Sequence, residues 1–375
     1  MKTNKIYEGN NLDILKTFEN NTIDCCITSP PYYALRDYGT GAWIGGDPNC
    51  DHVANPRVTK VFGNEEFNKN CPAREQTKTA GYYKTVCPKC GAVREDYQVG
   101  LEDTPEAYID RLVDIFREIR RCMKPEGTLW VNIGDTYYGS GGGRGTDYHD
   151  GRTDVIQSCN KGFNDMINVP KMNEKRDDLK PKDLIGIPWM LAFALRKDGW
   201  YLRQDIIWSK PNPMPESVKD RCTKSHEYIF LLSKSQQYYF NHDAIQEDAT
   251  SDPGRYKYPI MNNPKEQDGV IRPGSNPNTG GVKEWTGKRN KRDVWTINTS
   301  SYKGAHFATF SEELVYPMIM AGCPKGGVVL DPFMGSGTVA VVAKRNKFQY
   351  VGCELNPEYV KMANNRIKYT KVKLF

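Results

Sequence analysis

Short, largely apolar runs at 23–28, 128–133, 202–208, 228–232, 328–330 and 350–353 punctuate the chain. Runs of this length and character suit strands of a sheet covered on both faces. Helical patterns lie between them. Thr104-Pro105-Glu106 combines an N-cap residue, a first-turn proline and an early acid. Tyr108, Leu112, Ile115, Phe116 and Ile119 follow at helical spacing. Further helices are expected over 183–197, stopped near Gly199, and over 312–321 and 358–368. Strands alternating with helices predict an α/β fold with a doubly wound sheet.

Three stretches break this rhythm. Residues 39–100 are rich in Gly, Asn, Cys and charge; 139–180 open on a glycine-rich run from Gly139 to Gly145; 247–303 are dense in Pro, Gly, Asn, Lys and Arg. Loops this long are functional or disordered as a rule. With 375 residues there is room for one large α/β domain carrying such insertions, or for that domain and a smaller one. A mean hydropathy of -0.68 fits a compact core with long polar loops. No apolar run approaches the roughly 18 residues of a membrane span. The first residues lead straight into a strand-like segment without a signal peptide, so a cytoplasmic location is expected. Eleven cysteines, with Cys25, Cys26, Cys122 and Cys353 inside apolar segments, fit a reducing compartment better than a disulfide scaffold.

The net charge of +6 permits nucleic-acid binding without requiring it. Its distribution says more. From Arg255 to Lys303, ten basic residues face four acidic ones, with Tyr256, Tyr258 and Trp285 interleaved.

Two strings carry chemistry. Near the C-terminus a strand ends at Leu330 and runs into Asp331-Pro332-Phe333-Met334-Gly335-Ser336-Gly337-Thr338, followed by a helical segment over 339–344. Glycines let a backbone approach a ligand closely at a helix start. Glu354 ends the next strand, 23 residues after Asp331, where nucleotide sites carry a ribose-binding acid. The third glycine of the dinucleotide pattern is missing, which argues against a pyrophosphate and against a dehydrogenase. Near the N-terminus the run 23–28 leads into Ser29-Pro30-Pro31-Tyr32-Tyr33. Two prolines stiffen that loop and remove two backbone donors, so its carbonyls can accept from an amino group and Tyr32 can stack on a base.

Together the strings resemble the amino-methyltransferases that act on DNA, whose catalytic signature is Asp/Asn/Ser-Pro-Pro-Tyr/Phe and whose cofactor signature is Phe-x-Gly-x-Gly. The order, catalytic loop first and cofactor turn last, is similar to their permuted β class. The resemblance implies a Rossmann-like, S-adenosylmethionine-dependent methyltransferase fold with a mixed doubly wound sheet in permuted order. It implies catalytic roles for Ser29, Pro30, Pro31 and Tyr32. It implies cofactor contacts from Thr28, Asp331, Pro332, Phe333, Gly335, Ser336, Gly337, Thr338, Glu354 and Asn356. Asn10 and Asp13 match the segment near the cofactor adenine, although the family more often has Asp where Asn10 stands. His306, Thr309 and Phe310 match the segment that holds the methionine end.

The implied reaction is direct methyl transfer to an exocyclic amino nitrogen of a flipped base in double-stranded DNA. Hydrogen bonds from the amino protons to Ser29 and the Pro30 carbonyl would localise the nitrogen lone pair. Serine at position 29 points to cytosine N4, with adenine N6 the alternative. RNA or a protein glutamine are further alternatives; the basic loop at 253–303 and the zinc-knuckle insertion favour DNA over a protein side chain, and intact strings argue against a non-catalytic DNA-binding module. No Pro-Cys motif is present, which argues against carbon-5 methylation. A companion restriction endonuclease is left open, and no membrane partner is implied.

Cys50-Asp51-His52 and Cys87-Pro88-Lys89-Cys90-Gly91 bracket the first insertion. This spacing predicts a structural zinc held by Cys50, His52, Cys87 and Cys90, with Cys71 a substitute ligand. The expected organisation is a catalytic domain from 1–38, 101–246 and 304–375, a zinc-knuckle insertion at 39–100, a glycine-rich insertion at 139–180 and a target-recognition region at 247–303.

Overall fold

The computed structural model describes residues 1–35, 38–52, 86–139, 176–250, 287–301, 308–309 and 311–372. In chain order the strands are β1 (Lys5–Glu8), β2 (Ile23–Thr28), β3 (Ala42–Ile44), β4 (Val93–Glu95), β5 (Met123–Ile133), β6 (Tyr201–Ser209), β7 (His226–Ser233), β8 (Glu247–Asp248), β9 (Lys288–Arg289), β10 (Val294–Thr296), β11 (Ser300–Ser301), β12 (Ala308–Thr309), β13 (Val328–Asp331) and β14 (Gln349–Glu354). The helices used below are α1 (Asn11–Lys16), α2 (Pro105–Cys122), α3 (Ile187–Lys197), α4 (Glu312–Gly322), α5 (Thr338–Arg345) and α6 (Pro357–Lys368).

Eight of these strands form one sheet in the order β1-β14-β13-β2-β5-β7-β6-β10. Only β7 runs antiparallel to both of its neighbours, so the sheet is mixed, as expected. The six apolar runs are all strands of this sheet, and β2 is buried at every position. Its alternate residues feed opposite cores. Cys26 joins Leu129, Val131, Phe230 and Leu330 on the face covered by α1, α2 and α3. Cys25 and Ile27 join Trp130, Ile229 and Val329 on the face covered by α4, α5 and α6.

α2 shows how local sequence builds this architecture. The Thr104 hydroxyl accepts from the Ala107 N–H at 3.1 Å, and Pro105 occupies the first turn. The stripe from Tyr108 to Ile119 then lies against the sheet with Leu112, Phe116 and Ile119 fully buried. α3 begins later than the apolar pattern predicts. Asp135, at the end of β5, accepts from the N–H groups of Gly186 and Ile187, and Gly186 holds a left-handed φ of 85°. The tertiary anchor, not the hydrophobic period, sets that helix start.

The connection from β2 through α2 reaches β5 on one side; that from β13 through α5 reaches β14 on the other. Right-handed crossovers in opposite directions put their helices on opposite faces and open a crevice at the strand carboxyl ends. β13 and β2 pair in parallel, Val329 beside Cys25 and Leu330 beside Cys26. The two strings that sequence separates most widely are therefore neighbours at this switch point.

Candidate active site

The crevice is lined by consecutive strand ends. On the β13 side, the buried carboxylate of Asp331 accepts from the Thr28 hydroxyl at 2.7 Å and from the Phe333 N–H at 3.1 Å. Burial pushes its pKa up to about 7, opposed by those two donors and reinforced by the Glu354 carboxylate. Glu354 ends β14 and is also raised by burial. Its carboxylate accepts from the N–H of Gly335 at 2.7 Å and of Asn356 at 2.9 Å.

Gly335 and Gly337 take left-handed φ values of 50° and 82°. At Gly337 an added Cβ would sit 2.9 Å from that of Ala363 on α6, so the turn needs glycine for conformation and for space. The turn is fastened from outside: Arg366 donates to Thr338 at 2.8 Å and to the Ser336 hydroxyl at 3.2 Å. The Asn11 side chain donates to the Pro332 carbonyl at 3.2 Å. Asn10 and Asp13 stand beyond β1, and Gly9 donates to the Glu354 carbonyl at 2.9 Å. Asn10 caps α1 through Leu12 at 3.1 Å and donates to Asp13 at 3.0 Å; Asn356 caps α6 through Glu358 at 2.9 Å.

On the β2 side the loop from Ser29 to Tyr32 follows the buried Thr28. Its carbonyls are not all open, contrary to the sequence expectation. The Tyr108 hydroxyl on α2 donates to the Pro31 carbonyl at 2.8 Å. Among the described residues, no hydrogen bond is recorded to the Pro30 carbonyl. Tyr32 packs so closely on Gly134 that a Cβ there would lie 2.7 Å from the ring. Its hydroxyl donates to Glu227 on β7 at 2.7 Å and accepts from the Asn132 amide on β5 at 2.7 Å. Burial and then the Glu227 charge hold the Tyr32 pKa well above the usual phenol value, so it stays a donor. Asn132, Glu227, Lys210 and Tyr108 escaped sequence reasoning, since each sits in an ordinary strand or helix pattern.

A family model described as DNA methylase, of the N6/N4 class, matches residues 23–365. This chain belongs to that DNA methylase family. The type II methyltransferase M.Cfr9I of Citrobacter freundii is 38% identical over 369 residues, covering 97% of this chain and 87% of that protein. M.SmaI of Serratia marcescens, another type II methyltransferase, is 38% identical over 367 residues, covering 98% and 91%. Among solved structures, the PvuII DNA methyltransferase (cytosine-N4-specific) superposes with a TM-score of 0.54 at 14% identity, over 100% of this chain and 89% of that one. At that identity the likeness speaks for the fold alone.

In this methylase the described residues thus bring Asn10, Asp13, Thr28, the 331–338 turn, Glu354 and Asn356 to one edge beside Ser29 to Tyr32. His306 and Phe310 lie outside the described residues. Thr309 stands opposite Ser300 in the two-stranded ribbon of β11 and β12, apart from the main sheet.

The four proposed metal ligands converge. Their donor atoms all lie within 4.8 Å of one another, with Cys50 Sγ to Cys87 Sγ at 3.8 Å and Cys90 Sγ to His52 Nδ1 at 3.5 Å. The Cys87 N–H and carbonyl bond to Ala92 and Gly91, forming the knuckle, and Trp43 stacks on His52 at 4.5 Å. Cys71 lies outside the described residues. Residues on either side of this stretch meet next to the Ser29–Tyr32 loop, where Ala34 donates to the Gly100 carbonyl at 2.9 Å.

Part of the basic excess at 247–303 is already neutralised. Lys288 pairs with Asp248, and Glu247 takes both Arg289 and Arg292 across β8 and β9. Tyr256, Tyr258 and Trp285 lie outside the described residues, as do most of 139–180. Among the described residues no helix is long and apolar enough to cross a membrane.

Proposed function

We propose that this methylase transfers the methyl group of S-adenosylmethionine to cytosine N4 in DNA, with residues 29–32 as the methyl-transfer loop. The observation that carries the reading is the 2.7 Å hydrogen bond between Thr28 and Asp331, residues 303 apart in sequence. It fastens the Ser-Pro-Pro-Tyr loop to the glycine turn at the switch point, where α/β sheets bind their ligands.

The residues fit the cofactor. Asp331 suits a cationic methionine end, Glu354 can accept from ribose hydroxyls, and the glycines at 335 and 337 admit close backbone approach. Bound there, S-adenosylmethionine supplies an electrophilic methyl carbon on a sulfonium. Ser29 Oγ and the Pro30 carbonyl accept from the base amino group, which localises the nitrogen lone pair and favours the charge that develops there. The loop, stiffened by two prolines and by Tyr108, would position that nitrogen for attack on the methyl carbon as the carbon–sulfur bond breaks. Serine at position 29 favours cytosine over adenine, and the PvuII enzyme with the similar fold is cytosine-N4-specific by name.

The Cys50, His52, Cys87 and Cys90 group is assigned to a structural zinc. A tetrahedral ion with Zn–S near ~2.3 Å and Zn–N near ~2.0 Å has S···S edges of about 3.8 Å and S···N edges of about 3.5 Å. The Cys50–Cys87 and Cys90–His52 separations match these edges. Four protein ligands leave no open position for catalysis. Residues 247–303 are assigned to target recognition.

Expression in a methylation-free host, with mass spectrometry of the nucleosides and base-resolved sequencing, tests the reading. N4-methylcytosine at a defined site is the expected product. N6-methyladenine would overturn the choice of base, and unmodified DNA from a folded protein that binds S-adenosylmethionine would overturn the loop assignment.

A further inference from the structure

Beyond the loop itself, a part-buried polar chain crosses four neighbouring strands at the ends that face the loop. It starts at Tyr32, after β2. It continues through Asn132 on β5, whose amide donates to Tyr32 at 2.7 Å and to Glu227 Oε2 at 2.9 Å. It reaches Glu227 on β7, which also accepts from the Tyr32 hydroxyl at 2.7 Å, and ends at Lys210, which pairs with Glu227 Oε1 just past β6.

The chain is well enclosed. The side chains of Lys210 and Glu227 are 16% and 15% exposed, and the Lys210 ammonium lies 4.4 Å from the Trp208 ring centroid. A carboxylate removed from water is retained at a site only where donors and countercharge compensate it. Here Lys210 supplies the charge, and Tyr32 and Asn132 supply the donors. Two long-range pairings deliver the carboxylate: β7 beside β5, and Glu227 opposite Trp208 in the β6–β7 register. Gly134 then leaves the space that lets the Tyr32 ring reach it.

We infer that Glu227, neutralised by Lys210, is a positioning residue for methyl transfer, fixing the Tyr32 ring through its hydroxyl. A free tyrosine would sample several χ1 and χ2 wells. With its hydroxyl held by Glu227 and Asn132 and its edge against Gly134, the ring has one orientation to offer a base.

This inference rests on the methyl-transfer reading of residues 29–32. Its test is a double-mutant cycle of Glu227→Ala and Tyr32→Phe in the full chain, measured as single-turnover methylation of duplex DNA alongside S-adenosylmethionine affinity. Each single variant should lose about tenfold or more in the transfer rate with cofactor affinity unchanged. The double variant should be no slower than the slower single one, because both remove the same tether. Glu227→Gln, which keeps an acceptor for the hydroxyl, should recover part of the rate. A wild-type rate in Glu227→Ala, or losses that multiply in the double variant, would overturn the inference. Where Glu227→Ala does not fold, Tyr32→Phe removes only the hydroxyl, and a wild-type rate there overturns it equally. A wild-type protein that methylates no DNA would instead break the underlying reading.

Discussion

The two halves of the crevice are built from different materials. The half proposed to hold the cofactor, on β1, β14 and β13, is made largely of backbone: glycines in left-handed turns, N–H groups aimed at Glu354, and asparagines capping α1 and α6. The half proposed to carry catalysis, on β2, β5, β7 and β6, is made of side chains that meet from residues 32, 132, 210 and 227. A backbone site is specified by a few consecutive residues, whereas a side-chain network is specified by strand order and register. The halves should therefore fail separately, and the sharpest way to break this contrast is to injure one and watch the other.

The largest effect is expected at Ser29. Ser29→Ala removes an acceptor proposed to act on the amino group as charge develops, and the loss of a group of that kind slows reaction by roughly 10²–10³. Cofactor affinity, measured by calorimetry, should stay as in the parent. A variant that transfers methyl groups at the parental rate would remove Ser29 from the mechanism.

The converse injury is Gly335→Asp or Glu354→Ala. Either should weaken S-adenosylmethionine binding by tenfold or more, since a side chain at φ 50° strains the turn and adds a charge, and Glu354 is the proposed ribose acceptor. Unchanged affinity in both variants would detach the turn from the cofactor.

Asp331 sharpens the comparison through pH. Its folded pKa of about 7 is raised from 3.8, so the folded protein holds this proton more tightly than the unfolded chain does. The associated stability is fully present below about pH 4 and is lost as pH rises through about 7. A cationic ligand favours the ionised form. Cofactor affinity should therefore strengthen up to about pH 7, by as much as about tenfold per unit, and then level off. Calorimetry from pH 5.5 to 8 checks this, and a profile as steep in Asp331→Asn as in the parent would assign the dependence to another group.

At the knuckle, the Cys87→Ser/Cys90→Ser variant should lose the approximately one zinc expected per chain. Elemental analysis of protein purified without chelators decides it, and metal-free parental protein would count against the assignment. The smallest effect is expected at 288–292. Replacing Lys288, Arg289, Lys291 and Arg292 by Ala should flatten the salt dependence of DNA binding by roughly one unit of slope per lost phosphate contact. Glu247 and Asp248 already engage three of the four, so the change should fall short of four units. An unaltered slope would move recognition elsewhere in the chain.

The sequence by itself determined the elements and the two chemical strings. Six apolar runs marked strands of the sheet, Thr104 and Pro105 marked the start of α2, and the Cys/His spacing marked a group whose donors do converge. The strand, cap and turn features are local: they depend on period, capping and turn conformation, which neighbouring residues fix among themselves, whereas Cys50 and Cys87, 37 residues apart, meet only in the fold. Only the tertiary structure decided that β13 lies against β2, so that Thr28 meets Asp331. It alone brought Glu227 and Asn132 to Tyr32, turned Tyr108 onto the Pro31 carbonyl and moved the start of α3 to the Asp135 cap. Each of these contacts joins residues brought together by strand pairing or helix packing. Composition and spacing carry no record of which strand becomes which strand's neighbour, because that choice is made by the burial of two whole cores at once.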